Sequence, residues 1–441
     1  MMNYHIITYG CQMNEHDSEK IAGMLETMGY KETKDHADAD IIVFNTCLIR
    51  KNAELKVFGK IGSLKQLKED KPDLIIAVGG CMMQQEGPVD ELYKKYPQVD
   101  IIFGTHNIHK LPSLINQVKH GDERVIDVWE EDKGLIPDLP SKRRNDFQAW
   151  VTIIQGCDNY CSYCIVPHVR GTERSRPMDD IINEVKKLVT DGVIEITLLG
   201  QNVNSYGLDL NEDYDFPDLL NKLAKVNGLE KIKYMTSHPK DLSEKLIKIV
   251  AQNDNISKHF HLPVQSGSSK ILKAMNRKYD RKRYLNLIDK IRERIPDAVI
   301  TTDFIVGFPG ETKSDFEDTL SLVDKVRFDM AYTFAYSPRE GTPAAKKDDQ
   351  ISSEEKHRRL QALMEKQNQI SYEVNQKLIG KEIDVLVEGE SKKDPDYFSA
   401  RSDGNKLVII PAKSNKLIGK FIKTKINEAG SWTLYGEIVK Q

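Results

Sequence analysis

Six cysteines hold most of the chemistry this sequence can perform: Cys11, Cys47, Cys81, Cys157, Cys161 and Cys164. The last three form one tight group, Cys157-Asp-Asn-Tyr-Cys161-Ser-Tyr-Cys164, a C-x3-C-x2-C spacing. Three thiolates on a short loop can hold three irons of a [4Fe–4S] cubane. Such clusters usually take four cysteines, so the fourth iron is left open. An open metal position can bind a substrate or cofactor. A structural zinc is the other reading, with His168 completing C-x3-C-x2-C-x3-H, although zinc fingers usually bring a second ligand pair from far along the chain. Cys11, Cys47 and Cys81 follow a different rule. Each lies one to three residues past an apolar run. In a parallel sheet all three would share the carboxyl edge, where ligand sites of open α/β sheets form. Taken singly, each reads equally as a small buried thiol.

The elements that must position these groups follow from periodicity. The first ~140 residues alternate strands and helices. Strands are predicted at Tyr4–Tyr9, Asp40–Phe44, Leu74–Val78 and from Asp100, with helices at about Asp17–Met28, Asn52–Lys68 and Val89–Lys95. This is a βαβ series, hence a parallel sheet with helices on its faces. Gly134–Asn145 carries two prolines and a Lys-Arg-Arg run and reads as an interdomain linker.

A second βα series follows, with strands at Phe147–Ile154, Glu195–Leu199, Lys231–Thr236, Lys258–Leu262, Ala298–Val306 and Met330–Phe334. Six such strands predict a partial β/α barrel with its chemistry at the carboxyl-end face. Gln201, Asn202 and Asn204 lie just past the second of these strands, either as hydrogen-bonding groups for a ligand or as a polar turn. Thr236, Ser237 and His238 end the third strand, and His261 and Gln265 the fourth. Gly307-Phe-Pro-Gly-Glu311 lacks the Lys and Ser/Thr of a P-loop and reads as a turn lining a pocket. Ser352 to Glu355 fits a capping box that opens a long helix to about Ile379. Five short strands then form a small OB-like antiparallel barrel. From Gly404 onward there are seven Lys and two Glu, interleaved with Phe421, Trp432 and Tyr435, which suits single-stranded RNA. Lys270–Arg294 holds ten basic residues against three acids and reads as a solvated helix face.

Composition excludes several classes. Of 441 residues, 39% are hydrophobic and 30% charged, too apolar for a disordered chain. The net charge of −3 rules out an overall basic footprint, so any nucleic-acid surface is local. No apolar run is long enough to span a bilayer, and the first residues do not read as a signal peptide. The expected setting is the cytosol, with reduced cysteines.

The C-x3-C-x2-C group, with Tyr163 before its last cysteine, resembles the radical S-adenosylmethionine (SAM) superfamily. The resemblance narrows with ITYGCQMNEHDSE (Ile7–Glu19), VFNTCLIRKNAE (Val43–Glu54), VGGCMMQ (Val78–Gln84), LLGQNVNSYG (Leu198–Gly207), HLPVQSGS (His261–Ser268), DFIVGFPGET (Asp303–Thr312) and YSPREGTPAA (Tyr336–Ala345). These look like the methylthiotransferase family, most like its tRNA-modifying MiaB branch. The resemblance implies three domains: residues 1–140 with an auxiliary [4Fe–4S] cluster on Cys11, Cys47 and Cys81; 141–372, a radical SAM barrel with its cluster on Cys157, Cys161 and Cys164; and 373–441, a TRAM RNA-binding barrel. It further implies that SAM binds the open iron and is cleaved to a 5′-deoxyadenosyl radical, with Tyr163, Gln201, Asn202, Asn204 and His261 as candidate SAM contacts. Which catalytic groups act beyond the cluster ligands is left open by the resemblance. The implied partners are tRNA carrying an isopentenylated adenosine and an electron donor, with a monomeric chain and no membrane. Leu48-Ile49-Arg50-Lys51 after Cys47 departs from the family pattern. A sibling acting on threonylcarbamoyl adenosine, a ribosomal-protein aspartate methylthiotransferase and a non-catalytic RNA-binding metal protein are the alternatives.

Overall fold

In the computed structural model, residues 2–48, 51–129, 139–412 and 414–439 are described. The predicted features at Ile49, Arg50 and Gly134–Asp138 lie outside them. The N-terminal unit is one parallel sheet of β1 (Asn3–Thr8), β2 (Lys31–Glu32), β3 (Ile41–Thr46), β4 (Ile75–Gly80), β5 (Ile101–Phe103) and β6 (Val125–Asp127), in the order β2-β1-β3-β4-β5-β6. Strands β3 and β4 are buried along their whole length. That is why they read as continuous apolar runs rather than alternating ones.

The first helix begins at Gln12, five residues earlier than its apolar stripe suggests. Its opening turn is anchored by polar bonds. Asn14 donates to the Thr46 carbonyl at 2.8 Å, and Asn45 donates back to the Asn14 carbonyl at 2.7 Å. The described end of the expected linker is a strap on this helix. Lys142 N donates to the Glu19 carbonyl at 2.9 Å, and the Lys142 ammonium pairs with Glu26 at 2.6 Å and Glu32 at 2.9 Å. Gly23 makes the close approach possible, since a methyl group there would collide with the Pro140 carbonyl.

The second unit contains β7 (Gln148–Thr152), a short antiparallel pair β8 (Ile154–Gln155) and β9 (Arg174–Ser175), then β10 (Glu195–Leu199), β11 (Lys231–Tyr234), β12 (His259–His261), β13 (Val299–Val306) and β14 (Met330–Ala335). Two parallel three-stranded sheets, β11-β10-β7 and β12-β13-β14, are joined by a parallel bridge between Ile232 and Ile256. The result is the six-stranded partial barrel, open between its edge strands β7 and β14.

The helix Ser353–Gln376 crosses to the C-terminal unit and runs unbroken through residue 373. Ser352 Oγ accepts from the Glu355 amide at 3.3 Å, but the reciprocal half of the capping box is not made. Glu355 turns to Arg358 and Arg359 instead, at 2.7 Å each. The C-terminal barrel closes in the order β15 (Glu382–Glu390), β16 (Tyr397–Ser402), β17 (Leu407–Pro411), β19 (Thr433–Ile438), β18 (Phe421–Ala429). The β17–β19 pairing is parallel and the other four are antiparallel. An odd number of strands cannot alternate direction all round a ring, so one parallel pair is required.

The β16–β17 loop seats this barrel on the amino-end of the parallel strands. Asp403 accepts from Lys258 N at 3.1 Å and pairs with Lys231 at 2.8 Å, while Lys406 pairs with Asp329 at 2.7 Å. Among the described residues no helix is long and apolar enough to cross a membrane.

Gly23→Ala should destabilise the N-terminal unit by about 1–3 kcal/mol, because packed backbone has to shift to admit the methyl. Gly59→Ala, in a helix with open space around that position, should instead stabilise by about 0.4–1 kcal/mol. Urea midpoints of the two variants check this, and equal midpoints would show that the strap is not packed in solution.

Candidate active site

The first cysteine triad is set by two glycines that turn the chain just before a thiol. Gly10 has φ +129°, and a Cβ there would lie 2.8 Å from Cys47 Cβ and 3.1 Å from Cys47 Sγ. Gly80 has φ +96°, and a Cβ there would meet the Thr46 carbonyl at 2.5 Å. Both positions therefore need glycine for conformation and for space. They bring Cys11, Cys47 and Cys81 to the carboxyl ends of β1, β3 and β4, as the sequence spacing predicts. Cys47 and Cys81 are buried, and Cys11 is exposed.

A cation faces this group. Arg170 pairs with Asp17 at 2.9 Å. Burial works against its charge, yet Cys81, Asp17 and Cys11 hold its pKa above the ordinary range. The Cys81 thiol is pushed up to about 11, first by burial and then by its Cys47 and Cys11 neighbours, against the pull of Arg170. Three thiols beside a buried cation form a donor set suited to an anionic iron–sulfur group.

The C-x3-C-x2-C loop follows β8. Asn159 donates to Cys157 Sγ at 3.4 Å. Burial raises the pKa of Cys157, and that of Cys164 to about 12, with Cys161 adding to the latter shift. His168 is exposed, its ring edge-on to Tyr160 at 6.5 Å. Among the described residues, no three His, Cys, Asp or Glu side chains close on a single metal ion.

The loop is clamped by residues 274–278. Ser162 N donates to the Met275 carbonyl at 3.0 Å, Ser162 Oγ to the Ala274 carbonyl at 2.8 Å, and Asn276 to the Tyr160 carbonyl at 2.9 Å. Arg277 then reaches Cys161 Sγ and Tyr163 Oη, both at 3.4 Å.

The rim around this loop is strained and short of partners. Five of the seven described non-glycine residues with positive φ lie here: Tyr160, Thr236, Gln265, Asn276 and Lys278. Strain of this kind concentrates at ligand sites. Buried polar atoms without a protein partner include Gln201 Oε1, Asn204 Nδ2, His238 Nε2 and Gln265 Oε1. A ligand rich in hydrogen-bonding groups, such as SAM, would satisfy them.

The other expected contacts are differently placed. Asn202 donates to Asp241 at 2.7 Å and accepts from His238 N at 3.0 Å, so it ties two loops together. His261 Nδ1 lies 3.0 Å from Thr301 Oγ1, and Nε2 lies 3.6 Å from Asp303. Tyr163 packs against the cluster of Ile271, Met275, Phe308 and Tyr336. His238 is pushed down to about 2, first by burial and then by Arg277 and Lys240, and so stays neutral. The Gly307–Glu311 turn is held from outside, where Arg359 donates to Glu311 Oε1 at 2.6 Å.

A cleft of about 1140 Å³ runs along the open seam of the parallel barrel. Cys11 and Gln12 line it on one side. Trp150, Glu195, Lys233 and Tyr332 line the hollow, and Tyr397, Arg401 and Tyr435 come from the C-terminal barrel. Lys233 and Glu195 form a buried pair at 2.9 Å. The sequence reading missed these hollow-lining residues. Their signal was present as polar alternation within the strands, Gln148 and Trp150 or Glu195 and Thr197, where a filled barrel core would be apolar. Arg277 and Arg170 were missed because each lies in a charge-rich stretch that periodicity reads as surface.

Comparison with known proteins bears on each part of the chain. Residues 3–104 match the uncharacterized protein family UPF0004, residues 151–323 the radical SAM superfamily, and residues 376–439 the TRAM domain. The chain is 54% identical over 437 residues to the tRNA-2-methylthio-N(6)-dimethylallyladenosine synthase of Thermoanaerobacter pseudethanolicus, covering 99% of this chain and 93% of that one. It is 52% identical to the protein of the same name from Acetivibrio thermocellus, covering 99% and 91%. Among solved structures, the radical SAM methyltransferase TsrM from Kitasatospora setae superposes with a TM-score of 0.56 at 12% identity, over 78% of this chain and 77% of that one, a likeness of fold alone. The full-length identity, together with three matching domains in order, decides the assignment: the chain belongs to the radical SAM family of tRNA-2-methylthio-N(6)-dimethylallyladenosine synthases.

Proposed function

We propose that this chain transfers a methylthio group to carbon 2 of N6-isopentenyl (dimethylallyl) adenosine beside a tRNA anticodon. The observation that carries this reading is the shared cleft, lined by Cys11 of the first triad, by the hollow of the parallel barrel and by Tyr397 and Tyr435 of the C-terminal barrel. Cys157, Cys161 and Cys164 hold one [4Fe–4S] cluster, and Cys11, Cys47 and Cys81 hold the second. When bound, SAM and the two clusters supply hydrogen-atom abstraction and methylthio delivery.

The protein's own part is to hold and to exclude. Gln201, Asn204 and Gln265 offer polar atoms to SAM, while Tyr163, Asn202 and His261 shape the rim around it. Trp150 and Tyr332 flank the mouth of the hollow, and the buried Lys233–Glu195 pair keeps its floor polar. Tyr397 and Tyr435 offer faces on which bases stack. The division into residues 1–140, 141–372 and 373–441 follows these three tasks. A one-electron donor as partner, a monomeric chain and a cytoplasmic setting complete the reading.

The decisive experiment incubates anaerobically reconstituted protein with SAM, a reductant and isopentenylated tRNA, followed by nucleoside mass spectrometry. The 2-methylthio product is expected. Its absence from protein loaded with both clusters would refute the assignment, and a methylthiolated threonylcarbamoyl nucleoside would move it to the sibling activity. Replacing Cys157, Cys161 and Cys164 by Ala should remove about half of the roughly eight irons expected from two four-iron clusters. The reciprocal Cys11, Cys47, Cys81 variant should lose the other half. Stoichiometric zinc in place of iron after anaerobic purification would rule out the cluster reading.

Substitution of the exposed aromatics tests the RNA face. Tyr435→Ala and Trp432→Ala should each weaken tRNA binding by about 1–3 kcal/mol if a base stacks on the ring, with iron content unchanged. Filter binding or anisotropy measures this, and unaltered affinity in the double variant would place the RNA on another surface. For the cofactor, Asn204→Leu should weaken SAM binding by roughly tenfold, the effect of about one lost hydrogen bond to a charged group. Calorimetry on the loaded protein reads this directly.

A further inference from the structure

Arg277 is a buried cation without an acid. Its side chain is 4% exposed, yet every hydrogen-bonding partner the structure gives it is formally neutral. Nε donates to Tyr279 Oη at 2.9 Å, one terminal nitrogen to the Pro263 carbonyl at 2.6 Å, and the other to Tyr163 Oη and Cys161 Sγ at 3.4 Å each. Its ring contact is again with Tyr279, at 5.3 Å. Among the described residues no Asp or Glu pairs with it. Arg359, buried in the same unit, by contrast has Glu311 at 2.6 Å and Glu355 at 2.7 Å, and Arg170 has Asp17 at 2.9 Å. A guanidinium buried with no counter-charge is strongly unfavourable, so a negative group arriving beside it would be stabilised. Cys161 is the one partner that becomes negative, because metal ligation removes its proton.

The approach is built, not incidental. Ser268 caps the helix Ser269–Ala274 through its bond from Ile271 N. Past that helix, Asn276 and Lys278 both take left-handed backbone, with φ of 61° and 60°. These two turns reverse the chain on either side of Arg277 and point it inward, in a run whose other lysines, Lys270, Lys273 and Lys278, face solvent. Left-handed conformations are uncommon outside glycine and persist where surrounding structure demands them.

We propose that Arg277 is the fixed counter-charge of the cluster on Cys157, Cys161 and Cys164, donating an N–H···S bond to the Cys161 ligand and easing reduction of that cluster. The proposal rests on the reading that these three thiols hold a [4Fe–4S] group. Hydrogen bonds to the ligand sulfurs and the local net charge are among the factors that set cluster potentials. Three thiolates leave such a group net negative, and reduction makes it more so. A cation at hydrogen-bond distance in a dry site therefore favours the reduced form. Arginine keeps its proton in both states, so a single electron from an external one-electron reductant is all that is added. The same guanidinium fixes Tyr163, so it is a positioning residue for that ring as well.

The test is a redox titration with dithionite, followed by electron paramagnetic resonance. It uses the full chain carrying Cys11, Cys47 and Cys81→Ala, so that one cluster responds. Arg277→Gln should lower the reduced-to-oxidised ratio at a given solution potential about tenfold, a fall of ~59 mV for one electron. Arg277→Lys should recover part of it. A loaded Gln variant with an unchanged potential would overturn the proposal and leave Arg277 a structural residue. A second measurement leaves Arg277 in place: in the same chain with Cys11, Cys47 and Cys81→Ala, labelled with 15N-arginine, the reduced cluster should show hyperfine coupling to a guanidinium nitrogen, and its absence would equally overturn the proposal. Failure of the parent chain to bind iron through these thiols would remove the cluster reading itself, and the proposal with it.

Discussion

The short helix Val166–Arg170 leaves the loop of Cys157, Cys161 and Cys164 and enters the core of the N-terminal unit at once. Ile165 and Val169 are buried in the same apolar cluster as Cys81 and Met82. Thr105 Oγ1 donates to the Val169 carbonyl at 3.0 Å, and Arg170 reaches Asp17 and the first triad. The loop of Cys157, Cys161 and Cys164 is thereby packed directly against the unit that carries the first triad. The remaining architecture accommodates that constraint. The N-terminal sheet presents its carboxyl edge to the parallel barrel, the barrel leaves its seam open beside Cys11, and the strap at Lys142 fastens the first helix from behind.

Electrostatics repeats the theme at both triads. Each combines burial, which keeps free thiols protonated, with a buried arginine that favours the thiolate. The two cations differ in kind. Arg170 already has Asp17, so it is stable before any metal arrives. Arg277 has neutral partners alone. The loop it serves is therefore the less settled of the two without metal, and its strained residues, Tyr160, Asn276 and Lys278, gather on the same side.

The parts of this arrangement that were legible in the sequence are those governed by local pattern. Apolar runs located β1, β3, β4 and β5 and all six parallel barrel strands, and the position of each cysteine past a run placed the first triad on one edge. The short edge strands β2 and β6 were not expected, because two or three residues carry no period. The first helix was set too late because Asn14 and Asn45, which open it, act across the sheet. The C-terminal barrel was read with its five strands but not its parallel closure, which is a property of the ring rather than of any segment. Tertiary approach was the least visible: Lys270–Arg294 reads as a solvated stripe, and only the two left-handed turns flanking Arg277 take one of its charges inside. Of the expected SAM contacts, Gln201 and Asn204 keep unpartnered buried atoms, whereas the Asn202 amide is taken up by Asp241 and His238.

The seating of the C-terminal barrel has a consequence for how a nucleic acid must present itself. Asp403 and Lys406 bolt the module to the floor of the parallel barrel, so its distance from the cysteines is set during folding and does not vary like that of a tethered domain. The ordering entropy of the two modules is already met before any encounter, which is the advantage of preorganisation. A mount of fixed length also acts as a gauge. If RNA bases stack on Tyr397 and Tyr435 as proposed, the strand can offer the hollow only the nucleotide that lies one set span away, and that base has to leave its stack to enter. Which position along an RNA is chosen then becomes a matter of measured reach, with no need to read the bases in between.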